Sequence, residues 1–212
     1  MFFIMGFAAL VVSLCRLWPG GFSDWLIAQM GHAEWDGFFH HDTIFPLFLF
    51  IAGISFPFSL AKQRSKGTSE RAILAKIVRR GLTLVLLGLV YNGLFRLDFA
   101  TLRLPSVLGR IGLAWMFAAL LYMRFGLRTR IVLAAGILAA YSLVLHFVGA
   151  PDAPGAGTLT LEGNIAGYID RRIMPSHLYL DGFDPEGILS TFPAVVTAML
   201  GIFTCLLYTS PS

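Results

Sequence analysis

Long uncharged runs alternate with short charged stretches along this chain, and that alternation predicts its elements. Residues 1–15 (MFFIMGFAALVVSLC) are apolar from the first position. After a polar segment at 16–41, residues 43–60 form eighteen uncharged, Phe-rich positions. That length crosses a hydrocarbon core of roughly 30 Å as a helix. Further apolar runs are expected to span at about 81–95, 105–123 and 131–149, and a sixth apolar segment begins near Gly187. The runs are continuous and lack a period of two. The expected fold is therefore all-α, a polytopic transmembrane helical bundle with about six spans, and not a barrel.

Local signals refine these elements. Pro46 lies near the start of its span, where a missing amide hydrogen matters least. Pro57 lies deeper and predicts a kink. Ala52, Ser55 and Ser59 are spaced by three and four residues, which predicts a small-residue face for a neighbouring helix. In the polar segment, Phe22, Trp25, Leu26 and Met30 predict one side of a short helix lying in the membrane–water boundary. Trp18, Trp25 and Trp35 suit that boundary.

Composition agrees with this pattern. Of the 212 residues 57% are hydrophobic and 13% charged, against about 25% charged in an ordinary soluble domain; mean hydropathy is +0.75. The protein is expected to be integral to a membrane, with the lipid bilayer as its first partner. Cys15 and Cys205 both fall in apolar segments, so neither a disulfide framework nor a zinc site is expected.

Charge placement orients the chain. The segments 62–80 and 124–130, read as loops, hold ten of the 16 basic residues, whereas eleven of the 12 acids and all five histidines lie elsewhere. The two basic loops are expected to be cytoplasmic, and any chemistry to sit on the other side. The net charge of +4 is thus a topology signal, not a nucleic-acid patch. No inverted repeat of the transporter kind is visible.

Candidate chemistry concentrates in three places. His32 lies in Gly31-His32-Ala33-Glu34-Trp35-Asp36-Gly37, where an imidazole beside acids reads either as a general base or nucleophile or as a water-bonded boundary side chain. His40-His41-Asp42 follows, but adjacent helical histidines diverge by about 100° and no third ligand is spaced to join them, so no metal is expected. Asp42 also reads as a helix N-cap. Arg110 falls five residues into a span, either paired inside the bundle or snorkelling to the interface. The 37-residue segment 150–186 holds Asp152, Glu162, Asp170, His177, Asp181, Asp184 and Glu186, too long for a plain connector. Asp184-Pro185-Glu186-Gly187 reads either as helix-start chemistry or as an acidic rim for an amine-bearing ligand.

Several separate motifs carry a family resemblance. They are His32-Ala33-Glu34-Trp35-Asp36-Gly37, then Asp42-Thr43-Ile44-Phe45-Pro46, Pro105-Ser106-Val107-Leu108-Gly109-Arg110-Ile111-Gly112, Ala166-Gly167-Tyr168-Ile169-Asp170-Arg171, and Asp184-Pro185-Glu186-Gly187-Ile188-Leu189-Ser190-Thr191. In this order and over nearly the whole chain to Gly201, they resemble the heparan-α-glucosaminide N-acetyltransferase-like membrane acyltransferases, particularly bacterial relatives filed as domains of unknown function. The resemblance implies an enzyme that moves an acetyl group from cytoplasmic acetyl-CoA to an amino sugar or similar glycan acceptor across the membrane. It implies His32 as the catalytic residue; Trp35, Asp36, Asp42, Arg110, Asp170, Asp184 and Glu186 are expected to bind or support substrate. A bacterial inner-membrane location is expected, with no metal and no nucleic acid partner, and with homo-oligomerisation open.

Asp36 stands where that family usually has Asn. The Leu-Asp-x-x-Arg-Gly lead before the first span is absent, and the coherent pattern ends near Gly201. The chain is therefore expected to be a fragment, with one truncated domain over 1–202 and a doubtful tail at 203–212. The alternative reading is a multi-span transporter or glycan-binding membrane protein without acyl transfer.

Overall fold

The computed structural model of the protein describes residues 6–33, 35–96, 98, 102–174, 178 and 182–209. Glu34, His177 and Asp181 lie outside the described residues. The chain divides into two compact units, residues 1–48 and 49–212. The regular elements among the described residues are all helices, with one isolated bridge between Gly149 and Asn164 in place of any strand.

The first unit holds α1 (Ala8–Cys15), α2 (Gly21–Gln29), a 3-10 turn (His40–Thr43) and the start of α3 (Ile44–Ser65). The short helix expected in the polar segment is α2. Asp24 lies in its first turn, where a negative charge meets the positive end of the helix dipole. Phe22 and Trp25 stack at 5.9 Å between ring centroids and stay exposed.

The second unit contains the rest of α3, then α4 (Glu70–Tyr91), α5 (Val107–Arg124), α6 (Leu127–Phe147), α7 (Ile165–Ile173) and α8 (Ile188–Thr209). The basic segment 62–80, expected as a loop, is mostly helix. α3 continues to Ser65 and α4 starts at Glu70, with Gly67 at φ +71° in the turn. Lys and Arg are good helix formers, and the Ser69 hydroxyl caps α4 by accepting from the Ala72 amide. Phe125 and Gly126 alone separate α5 from α6.

Four helical stretches among the described residues are long and apolar enough to cross a membrane: His40–Ser65, Val107–Arg124, Leu127–Phe147 and Ile188–Thr209. α4 has the length, with 22 residues, but its charges crowd the first three turns. α1 has eight residues.

Packing follows glycine, and here the expected small-residue face of α3 is corrected. Leu49, Gly53, Phe56 and Leu60 are buried, whereas Ser55 and Ser59 are exposed. A Cβ on Gly53 would collide with the Ala198 carbonyl of α8, and one on Gly201 with the Phe50 carbonyl of α3. The two backbones touch because neither residue has a side chain. The Ser55 hydroxyl instead donates to the Ile51 and Ala52 carbonyls of its own helix. α4 and α5 meet in the same way, since a Cβ on Gly112 would lie 2.7 Å from the Gly81 carbonyl. α8 is central to this unit and buries Val196, Ala198, Met199 and Ile202, whereas α6 buries only Ala134.

Candidate functional site

In the first unit, a loop between α2 and the 3-10 turn presents His32. Its Nδ1 lies 2.7 Å from Asp42 Oδ1. The other Asp42 oxygen accepts the Phe39 amide at 2.9 Å, so one carboxylate both caps the turn and anchors the imidazole. A carboxylate can only accept, which places the ring proton on Nδ1 and leaves the Nε2 lone pair available. The His32 side chain is 66% exposed and that of Asp42 26%. His41 sets its ring edge-on against His32, with centroids 4.6 Å apart. The His40 amide donates to the Gln29 side chain at 3.0 Å, tying the turn to the end of α2. Trp35 is half-buried and Asp36 exposed on the same loop, which turns at Gly37 with φ +135°. The N-cap reading of Asp42 is corrected: Phe39 is the N-cap residue of the 3-10 turn, and Asp42, three residues on, reaches back to its amide with one oxygen and holds the imidazole with the other.

In the second unit, the acids of the long segment converge on two arginines. Arg103 forks onto Asp184, with Nε to Oδ2 at 2.7 Å and Nη2 to Oδ1 at 2.6 Å, and Nη2 also reaches Glu186. Asp184 is fully buried. Asn92, the C-cap of α4, holds the stretch carrying Arg103 by donating to the Arg103 and Pro105 carbonyls at 2.8 and 2.7 Å. Arg110 donates to the Pro185 carbonyl at 2.6 Å and the Ser190 carbonyl at 2.9 Å. Its guanidinium therefore clamps the turn that starts α8. Arg171 forks onto Asp152 and also donates to the Gly182 carbonyl at 2.6 Å, stapling the long segment to α7.

The helix-start reading of Asp184-Pro185-Glu186 is corrected. α8 begins at Ile188, and the side chain that serves its first amide is Asp170 of α7, whose Oδ1 accepts from Ile188 at 3.0 Å. A Cβ on Gly187 would overlap the Asp170 carboxyl, so glycine is needed there for this approach. Oδ2 of Asp170 is buried with no hydrogen-bond partner among the described residues.

Burial pushes the Asp170 carboxyl up to about 6; the Ile188 amide offsets part of this and the neighbouring Asp184 charge adds to it. Burial also pushes on Asp184, but the Arg103 fork outweighs it and holds that carboxyl below the usual range. Glu186 is raised by burial and by the adjacent Asp184, against the pull of Arg103. A cavity of about 450 Å³ opens beside this cluster, within the size range of small-molecule sites. Ser106, Arg110, Glu186 and Thr191 supply its polar atoms, and the remaining wall is largely aliphatic and aromatic.

The structure thus joins His32 with Asp42 in one unit, and Arg110, Asp170, Asp184 and Glu186 in the other. Arg103, the residue that gathers the two acids, was not singled out from sequence. Its one legible signal is a charge placed just before the Pro105-Ser106 start of a span.

No protein-family model matches the chain. Over 219 aligned residues it is 28% identical to human heparan-alpha-glucosaminide N-acetyltransferase and 29% identical to the mouse protein of that name. Each alignment covers 81% of this chain and 33% of the relative, so the chain spans about a third of the length of the curated relatives it matches. These similarities support kinship with a family of membrane acyltransferases, as the motif resemblance expects.

Proposed function

We propose that this chain carries the histidine-bearing part of a membrane N-acetyltransferase, read as a single acyltransferase domain over 1–202. On this reading it moves an acetyl group from acetyl-CoA on the cytoplasmic side to the amine of an amino sugar or similar acceptor on the other. The observation that carries the reading is the His32–Asp42 pair, an exposed imidazole whose Nδ1 is held at 2.7 Å by a carboxylate.

In the proposed reaction, the acceptor nitrogen attacks the thioester carbonyl and gives its proton to His32 Nε2. The carbon–sulfur bond then breaks, and the proton passes from Nε2 to the departing thiolate. Parking the acetyl group on Nε2 first divides the same transfer into two steps. Asp42 keeps the ring in the productive tautomer and stabilises the imidazolium. Trp35 and Asp36 border this loop as acceptor-side contacts. Arg110, Asp170, Asp184 and Glu186 support the start of α8 and the cavity beside it. Both similar proteins are named as N-acetyltransferases, which supports the reaction class.

The full chain in proteoliposomes, given labelled acetyl-CoA outside and glucosamine inside or the reverse, tests this. Transfer of label with release of coenzyme A is expected. Glucosamine uptake without coenzyme A release would replace the enzyme with a transporter.

A further inference from the structure

The basic end of the second unit does not enter the reaction above. Aromatic contacts bring its two turns together. Phe56 of α3 packs edge-on against Trp115 and Tyr122 of α5, Arg80 lies 4.7 Å over the Trp115 ring, and Arg130 lies 3.9 Å over Tyr122. Ten basic residues collect on the segments 62–80 and 124–130, with Glu70 as the single acid. Glu70 is occupied, accepting from Arg64 Nε at 2.7 Å.

One face of α4 orders these charges. Ile73, Ile77, Gly81 and Gly88 form its buried side. On the opposite side, Arg71, Ala75, Arg79, Leu82 and Leu86 follow at spacings of four, four, three and four residues, and all five are exposed. Such spacings stack side chains on one helix face. Arg71 and Arg79 make no ion pair among the described residues. The small Ala75 leaves the space between them open. Below Arg79 the face turns to hydrocarbon, and Arg71 to Leu86 extends about 22 Å along the axis.

We propose that this face binds an anionic phospholipid, its phosphate between Arg71 and Arg79 and an acyl chain along Leu82 and Leu86. The order along the helix, two cations and then an apolar stripe, matches the order of headgroup and chain in one leaflet. A soluble phosphate would use the arginines and leave the stripe without a role. A zwitterionic headgroup would bring a second cation to a surface that offers it no free carboxylate.

The test uses the full chain in mixed micelles with equal phosphatidylglycerol and phosphatidylcholine, and native mass spectrometry of the lipid retained. Phosphatidylglycerol should be enriched, and Arg71→Gln and Arg79→Gln should each lower the enrichment about five-fold, the effect of one basic residue near a charged lipid surface. Arg71→Lys and Arg79→Lys should keep it, because the attraction is one of charge. In the unaltered protein the enrichment should fall as salt rises, a reading that needs no variant. Equal retention of both lipids, or enrichment unchanged in the double Gln variant, would overturn the proposal. So would displacement of the lipid by an equal concentration of coenzyme A, which would assign the arginines to a soluble polyphosphate.

Discussion

The two polar clusters of this protein are built in opposite ways. His32 and Asp42 form a minimal pair in which one carboxylate holds one ring, and the imidazole is 66% exposed. Arg103, Asp184, Glu186, Arg110 and Asp170 form a network whose hydrogen bonds tie three separate stretches of chain, with Asp184 fully buried. A reactive group needs an accessible lone pair and a fixed orientation, which one anchor on the far nitrogen supplies. A network that closes on itself leaves few atoms for a substrate and instead fixes where α8 begins. On the proposed function, the densest charge and the reacting imidazole belong to different clusters.

Four experiments sharpen or break that contrast. The largest effect is expected for His32→Ala, a loss of about 10²–10⁴-fold in transfer, the range for a general base, and more for a covalent carrier. Melting temperature should stay close to that of the unaltered protein, and His40→Ala and His41→Ala should keep most activity. Turnover above roughly a tenth of the original would remove His32 from the chemistry.

Arg103→Met should act in the reverse sense, on folding. It strands the buried Asp184 and the half-buried Glu186, and breaking a buried pair typically costs about 3–5 kcal/mol. Poor accumulation and a lowered melting temperature are expected; a normal melting profile would mean that the network does not hold the fold.

Asp42→Asn keeps the shape of its side chain but lets the imidazole turn and change tautomer. The expected loss in turnover is smaller than the roughly 10⁴-fold known where such a pair is enclosed, because water screens an exposed ring. Michaelis constants should change little. Unchanged turnover would reduce Asp42 to a helix cap.

The smallest effect concerns pH. The folded Asp170 carboxyl titrates near 6, above its ordinary value of 3.8. Folding therefore favours its protonated form. The stability this group contributes is fully present below about 3.8 and is lost as pH rises through about 6. Glu186, also raised, works in the same direction. Asp184, lowered by Arg103, loses its contribution only at more acid pH. The Asp170 contribution should raise the melting temperature from pH 7 to pH 5, against His41, whose lowered pKa acts in the opposite sense, and Asp170→Asn should remove that contribution. An unchanged slope would mean that the Asp170 carboxyl titrates as it does in water.

Local chemistry made much of this legible in the chain. The apolar runs marked the helices and the Phe22–Trp25 pattern marked α2, whereas the Ser69 and Ser106 caps were not singled out. The same locality explains the errors. Lys and Arg between two spans looked like a loop, although they propagate a helix once Ser69 starts it. The small residues of α3 that met α8 were not the serines but Gly53, because contact is set by the partner's backbone and not by spacing alone.

What the sequence by itself determined is therefore one-dimensional: which stretches are apolar enough to leave water, where charge is excluded, and that His32 stands among acids. Each follows from the hydration of single side chains and the short-range geometry of a helix. The tertiary structure alone decided that Arg103 meets Asp184 across 81 positions and that Asp170 caps a helix 18 residues further on. It also decided that Asp42 divides its two oxygens between an amide and an imidazole. Such pairings depend on the path of a long loop and on which buried charges find partners. A buried charge is tolerable only where the rest of the fold has already placed its counterpart.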